Sequence, residues 1–173
     1  MHFLGNIETP IGRVQAIVNG GGALVRLDFE GDTRADADWQ PSDGIVPEDD
    51  AVAHVAAQLA AYFRRELQVF DLPLAPVGNA FLREAWSHLA RVPYGTTITY
   101  GDLAQRLDKP TSARAIGRAN AINPISIIVP CHRVIGADGK LTGYSGGLER
   151  KAALLRLEGV NAGWAGHEPA RLL

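Results

Sequence analysis

Sulfur is scarce: the 173 residues include one cysteine, Cys131, and one methionine. A lone thiol cannot close an internal disulfide, and it leaves too few sulfur ligands for an ordinary structural zinc site. No apolar run approaches the roughly 20 residues that a membrane-crossing helix needs. The opening MHFLGNIETP has no basic segment leading into an apolar stretch, so no secretory signal is read there. No internal repeat or low-complexity tract occurs. These absences point to a reducing, cytoplasmic setting without a membrane partner. What remains, 46% apolar and 21% charged residues, is the balance of a globular chain with one ordinary domain or two small ones.

Net charge is also small, −2, which looks wrong for a nucleic-acid binder. The average hides an asymmetry. Residues 1–78 hold five Lys/Arg against twelve Asp/Glu, whereas residues 79–173 hold twelve against seven. Basic charge gathered in one half suits a DNA-binding module with an acidic companion. The plainer alternative is that the acidic run from Asp32 to Asp50 is a solvated loop that skews the count.

The predicted elements begin with strands at 2–8, 12–18 and 23–29, joined by turns at Thr9-Pro10-Ile11-Gly12 and Gly20-Gly21-Gly22. Residues 31–48 read as loop. Val52, Val55, Ala56, Leu59, Tyr62, Phe63 and Leu67 recur at helical spacing, predicting a helix over 50–67 capped by Asp49 or Asp50. Strands followed by one amphipathic helix make a small α/β unit over 1–75, and Pro76 to Gly78 read as a linker. A second domain over 79–173 opens with a helix capped by Asn79, its apolar face formed by Phe81, Ala85, Trp86 and Leu89. Two short helices follow, at 101–107 and from Ser112 to Ala121, with the spacing of a helix-turn-helix or of any packed pair. The fold class expected is α+β.

The second of those helices, SARAIGRANA, places Ala113, Ala115, Gly117, Ala119 and Ala121 around Arg114 and Arg118. Small residues let a backbone approach a surface closely, and arginines reach phosphates or enter a groove. Such a helix could pack in a core, but two arginines four apart fit a core face poorly.

ISIIVPCHRVIG follows. Ile125 to Val129 read as a buried strand that Pro130 breaks just before Cys131. A lone cysteine in an apolar setting is commonly inert. Here Pro130 sets it at a strand end, His132 and Arg133 bring cationic groups that favour a thiolate, and Glu158 is placed to orient His132. Neighbouring strand residues point to opposite faces. Either the chain turns sharply at Pro130-Cys131 or a water carries the proton between Cys131 and His132, and a water is expected. TGYSGG, residues 142–147, is a glycine-rich turn able to approach a ligand, with Tyr144 as a proton donor or a structural plug. The closing helix, LERKAALLRLEGV, should turn Leu148, Ala152 and Leu155 inward and stop at Gly159.

NPISIIVPCHRVIG, with ARAIGRAN and VPYGTTITYGDLA upstream and TGYSGG downstream, resembles the O6-alkylguanine-DNA alkyltransferases over about residues 79–160. The N-terminal half fits that family only in outline, as a ribonuclease-H-like α/β unit before a mainly helical (winged) helix-turn-helix domain. The resemblance implies Cys131 as alkyl acceptor, His132 as its base through a water, Glu158 orienting His132, and Tyr144 protonating the departing base. Asn123 would hold the turn before the active-site strand. Arg114 would be the finger filling the extruded nucleotide's space, and Tyr100 would push on the adjacent phosphate. Ser112, Ala113, Ala115, Gly117, Arg118 and Ala119 would meet DNA in the minor groove, and Val129, Pro130, Ser145 and Gly146 would shape the substrate pocket. The implied partner is double-stranded DNA carrying O6-alkylguanine, and O4-alkylthymine as well, met by a monomer whose cooperativity on DNA stays open. No cofactor is expected. Zinc, reported for some relatives on N-terminal Cys and His residues, does not carry over because no cysteine is present there. A lesion binder without transfer, a plain regulator and a Cys–His hydrolase are the competing readings, and the tail from Asn161 matches nothing.

Overall fold

A computed structural model describes residues 1–32 and 39–160. Three strands, β1 (His2–Thr9), β2 (Gly12–Asn19) and β3 (Leu24–Phe29), form an antiparallel meander, the hairpin pairing running from His2–Asn19 to Thr9–Gly12. A short β4 (Ile45–Pro47) adds to β1 in parallel, giving the order β3-β2-β1-β4. This strand lies in the stretch read as loop: three residues ending in proline carry too little periodicity to announce a strand. No alternation of buried and exposed residues shows in β3, where Leu24 to Leu27 are all buried. The sheet is covered on both sides there, which erases a two-residue period.

The helix expected over 50–67 forms as a 3-10 turn, Asp49–Val52, running into α1 (Ala53–Phe63). Neither aspartate caps it: Asp49 instead accepts from the Asn6 amide at 2.9 Å and ties the turn to β1. Val52, Val55, Leu59 and Tyr62 are its fully buried residues, while Ala56, Phe63 and Leu67 are half-buried. Arg65, at φ 61°, ends the helical path before Leu67.

The second half begins with α2 (Ala80–Ala90), where Asn79 accepts from the Leu82 amide as predicted for a cap. Ala85, Trp86 and Leu89 are buried, but Phe81 is 36% exposed and lies off the core face. β5 (Ile98–Thr99) leads into α3 (Tyr100–Gln105), and α4 (Ala113–Ala121) follows with Ser112 accepting from the Ala115 amide. Strand β6 (Val134–Ile135) pairs in parallel with β5, and α5 (Leu148–Leu157) closes the described chain. Lys151 to Leu155 are buried without a break, so α5 runs through the interior and not along its surface. Leu148 is only half-buried, and Gly159, at φ 82°, terminates the helix as expected.

One apolar cluster joins both halves, from Val14 and Phe29 to Trp86, Ile116 and Leu154. The contact that matters for the site is backbone: Leu27 N donates to Pro124 O and Ser126 N to Leu27 O. The edge of β3 thus props the segment leading to Cys131. Among the described residues, no helix is long and apolar enough to cross a membrane. The tail, 161–173, lies outside the described residues.

Candidate active site

The segment Ile125–Val129 is not a strand, contrary to its apolar, β-branched character. It is a tight double turn: Ile128 N donates to Ser126 O at 2.8 Å and Val129 N to Ile125 O at 3.1 Å. Its pivot, Ile127, sits at φ 70°, a region costly for a β-branched residue. What holds it there is the buried Asn123. Its Nδ2 donates to Val129 O at 2.8 Å and Ile125 O at 3.3 Å, and its Oδ1 accepts from Ile125 N at 3.0 Å. The turn assigned to Asn123 therefore exists, inside the segment and not before a strand.

Pro130, at φ −81° and ψ 65°, makes a further three-residue turn in which Cys131 N donates to Val129 O at 2.8 Å. Cys131–Arg133 then wind into one 3-10 turn. The chain does turn sharply at Pro130-Cys131, and this turn does not by itself replace the water expected between Cys131 and His132. Cys131 is 3% exposed and His132 not at all.

His132 Nε2 lies 2.7 Å from Glu158 Oε2. The same carboxylate accepts from the Tyr62 hydroxyl at 2.6 Å and from Arg133 Nε at 2.7 Å. Burial alone would raise the Glu158 carboxyl, but the hydrogen bonds it accepts from His132 and Arg133, together with the charge of Arg133, outweigh it and hold Glu158 well below the usual carboxylate range. For His132 burial wins: it lowers the imidazole despite the attraction of Glu158. A neutral His132 facing an ionised Glu158 must carry its proton on Nε2. Its Nδ1 then presents a lone pair, and that atom has no hydrogen-bond partner among the described residues.

Arg133 takes a different part from the one its sequence position suggested. It is 6% exposed, fully engaged by Glu158 and by Val92 O at 2.6 Å, and its guanidinium lies over the Tyr94 ring. Its charge is spent on Glu158 and is not available to a thiolate.

In front of this assembly a cavity of about 690 Å³ opens between α4 and the loop 142–147. Of the predicted residues, Tyr100, Ala113, Arg114, Gly117, Tyr144 and Ser145 line it. Arg114 and Arg118 are exposed on α4 and Ser112 at its start, with Ala115 half-buried. Ala119 departs from the expectation: it is 2% exposed, and its carbonyl accepts from Trp86 Nε1, so it faces the core. Val129 and Pro130 are buried and do not line the cavity, nor does Gly146, whose added Cβ would meet Phe29 at 2.8 Å. They support the pocket from behind.

Three residues escaped the sequence reading. Asn120 lines the cavity and donates through Nδ2 to Cys131 O at 3.3 Å, linking the exposed helix to the thiol's own backbone. Thr142, also a lining residue, donates from Oγ1 to the Tyr100 hydroxyl at 3.1 Å. Tyr62 looked like a core residue, and nothing local signals that its hydroxyl reaches a carboxylate 96 positions away. Away from the site, Glu84, His88 and Asp108 bring three potential metal-ligating atoms within 4.8 Å of one another, with Glu84 already accepting from the Asp108 amide.

A strained turn presenting a buried thiol beside a His–Glu pair, behind a cavity rimmed by a helix-turn-helix, defines a DNA-directed protein with a nucleophilic cysteine. The comparisons give that class a family. The DNA-binding domain of 6-O-methylguanine DNA methyltransferase matches residues 80–160, and the ribonuclease-like domain of the same family matches residues 3–76. The chain belongs to the 6-O-methylguanine DNA methyltransferases. It is 48% identical over 158 residues to the methylated-DNA–protein-cysteine methyltransferase of Methanosarcina barkeri, covering 90% of this chain and 96% of that one. To the enzyme of that name from Mycobacterium leprae it is 44% identical, covering 88% and 90%. A crystal structure of Mycobacterium tuberculosis OGT in complex with DNA superposes with a TM-score of 0.80 at 43% identity, covering 90% and 92%. The two-domain order, ribonuclease-like then helical and DNA-binding, is that of the family.

Proposed function

We infer that this protein repairs alkylated guanine in double-stranded DNA by moving the alkyl group from the base oxygen to Cys131 Sγ. One observation carries the reading. The chain's only cysteine is held by a strained turn beside His132 and Glu158, behind a cavity rimmed by Arg114 of the exposed helix.

The target oxygen is out of reach within a stacked duplex, so the nucleotide must rotate out, at a cost of a few kcal/mol. Arg114, exposed at the cavity mouth, fills the space left behind and offsets part of that cost, while Tyr100 presses on the neighbouring phosphate. α4 lies in the minor groove, where its small exposed residues allow close approach. The thiol proton passes through a water to His132 Nδ1, with Glu158 fixing the tautomer and favouring the protonated ring. Sulfur attacks the alkyl carbon, the carbon–oxygen bond breaks, and Tyr144 supplies the proton that lets the base leave neutral.

The product thioether is stable, so each molecule acts once. O4-alkylthymine presents the same alkyl–oxygen bond and is a second substrate. The protein acts as a cytoplasmic monomer, with residues 1–75 and 79–173 as its two units. A lesion binder would have no use for a thiol braced in this way. Incubating the protein with duplex carrying radiolabelled O6-methylguanine tests the reading: label should move to the wild type and not to Cys131→Ala, which should still bind the duplex. Transfer to the alanine variant would overturn it.

A further inference from the structure

Lys151 sits in the middle of α5 with no exposed surface. Its Nζ donates to Val134 O at 2.6 Å, Thr142 O at 2.6 Å and Gly143 O at 3.4 Å. Val134 directly follows the Cys131–Arg133 turn, and Thr142 and Gly143 line the cavity. Three carbonyls use up the ammonium's three donors, but none bears a formal charge. A buried cation ordinarily needs a buried anion.

The site's other charges do not supply one. Arg133 and Glu158 neutralise each other, and His132 is neutral by burial, with Lys151 itself disfavouring charge there. Among the described residues, the buried charges of the site leave one cation over. Burial pushes its ammonium down to about 8, and a thiolate at Cys131 would work against that and keep it protonated.

We propose that Lys151 is the buried counter-cation of the Cys131 thiolate: it acts through the nucleophile by lowering the cost of removing the thiol proton. The same three hydrogen bonds pin the loop that carries Tyr144 to the chain beyond the nucleophile. When sulfur is alkylated it can carry no negative charge, and Lys151 loses that counter-ion. This deepens the transferase reading and rests on it for meaning, but its test needs neither DNA nor transfer, so the two can fail separately.

The experiment is the pH dependence of Cys131 modification by iodoacetamide, a small neutral reagent, in the full chain. Wild type, Lys151→Arg, Lys151→Gln and Lys151→Met are compared. Glutamine keeps a donor without charge, methionine keeps the stem alone, and arginine keeps the charge. The midpoint should rise by about one pH unit in the glutamine and methionine variants, lowering their rate roughly tenfold at pH values below both midpoints, with arginine close to wild type. A residue that merely ties down the loop would change the rate by one factor at every pH. Unmoved midpoints in the neutral variants therefore overturn the proposal. Should neither neutral variant unfold cooperatively, the wild type decides through its ultraviolet thiolate absorbance. A midpoint well below the roughly 8.5 of a free cysteine supports the counter-cation, and one at or above it removes it.

Discussion

Replacing Glu158 with glutamine keeps the shape of the side chain and removes its charge from a carboxylate that serves His132, Arg133 and Tyr62 at once. An amide has one acceptor oxygen where the carboxylate has two, so at least one of these donors is left facing an NH₂ group. The heavier loss is electrostatic. Arg133, 6% exposed, keeps Val92 O but loses its counter-ion. Breaking a buried pair by removing one partner costs about 3–5 kcal/mol, and the burial of Glu158, itself 5% exposed, puts this case within that range. With a urea slope of about 2 kcal/mol per molar, the unfolding midpoint should fall by about 1.5–2.5 M.

The pH dependence has a definite sign. A carboxyl held below its unfolded value contributes stability that is present above the ordinary glutamate value of 4.5 and is lost as pH falls through the folded one. Wild type should therefore lose stability through this group only in acid, and Glu158→Gln should lack that part of the slope. Alkyl transfer should slow about a hundredfold or more, because the His132 tautomer is no longer enforced. A loss below about 1 kcal/mol with unchanged transfer would refute the reasoning, since Arg133 and His132 would then be shown not to depend on Glu158.

Asn123→Ala removes three hydrogen bonds from the turn that holds Ile127 at positive φ, and should cost about 2–4 kcal/mol by urea unfolding. Gly146→Ala places a methyl group 2.8 Å from the Phe29 ring and 3.0 Å from that of Tyr144, so the loop must shift. Single-turnover transfer should slow severalfold with little change in DNA affinity. Arg114→Ala should weaken repair of duplex DNA more than reaction with the free alkylated base, and equal losses on both substrates would remove the finger role.

Much of the site was legible because its chemistry is local in sequence. Cys131, His132 and Arg133 are contiguous, Ser112 and Asn79 cap the helices they precede, and the small residues of α4 surround Arg114 and Arg118 in one short run. The misreadings share a cause. Ile125–Val129 has the composition of a strand, but its conformation is dictated by one side chain, Asn123, and by the backbone of Leu27 from the far half of the chain. Lys151 lies between Arg150 and Ala152 in a run that reads as a charged helix face, and only the tertiary fold drives that face inward. Arg133 was legible as a cation near the thiol but not as a partner of Glu158, because a charge's effect depends on which opposite charge the fold sets against it. Long-range pairing of polar groups leaves no periodic trace in sequence.

The central claim, that Cys131 is a single-use alkyl acceptor, is tested most directly by intact mass and peptide mapping after incubation with excess duplex DNA carrying O6-methylguanine. The account predicts that the protein gains the mass of one methylene, on the peptide containing Cys131, and that the gain stops at one per molecule. Binding of the damaged duplex with no change in mass, or a gain on any other residue, would contradict it.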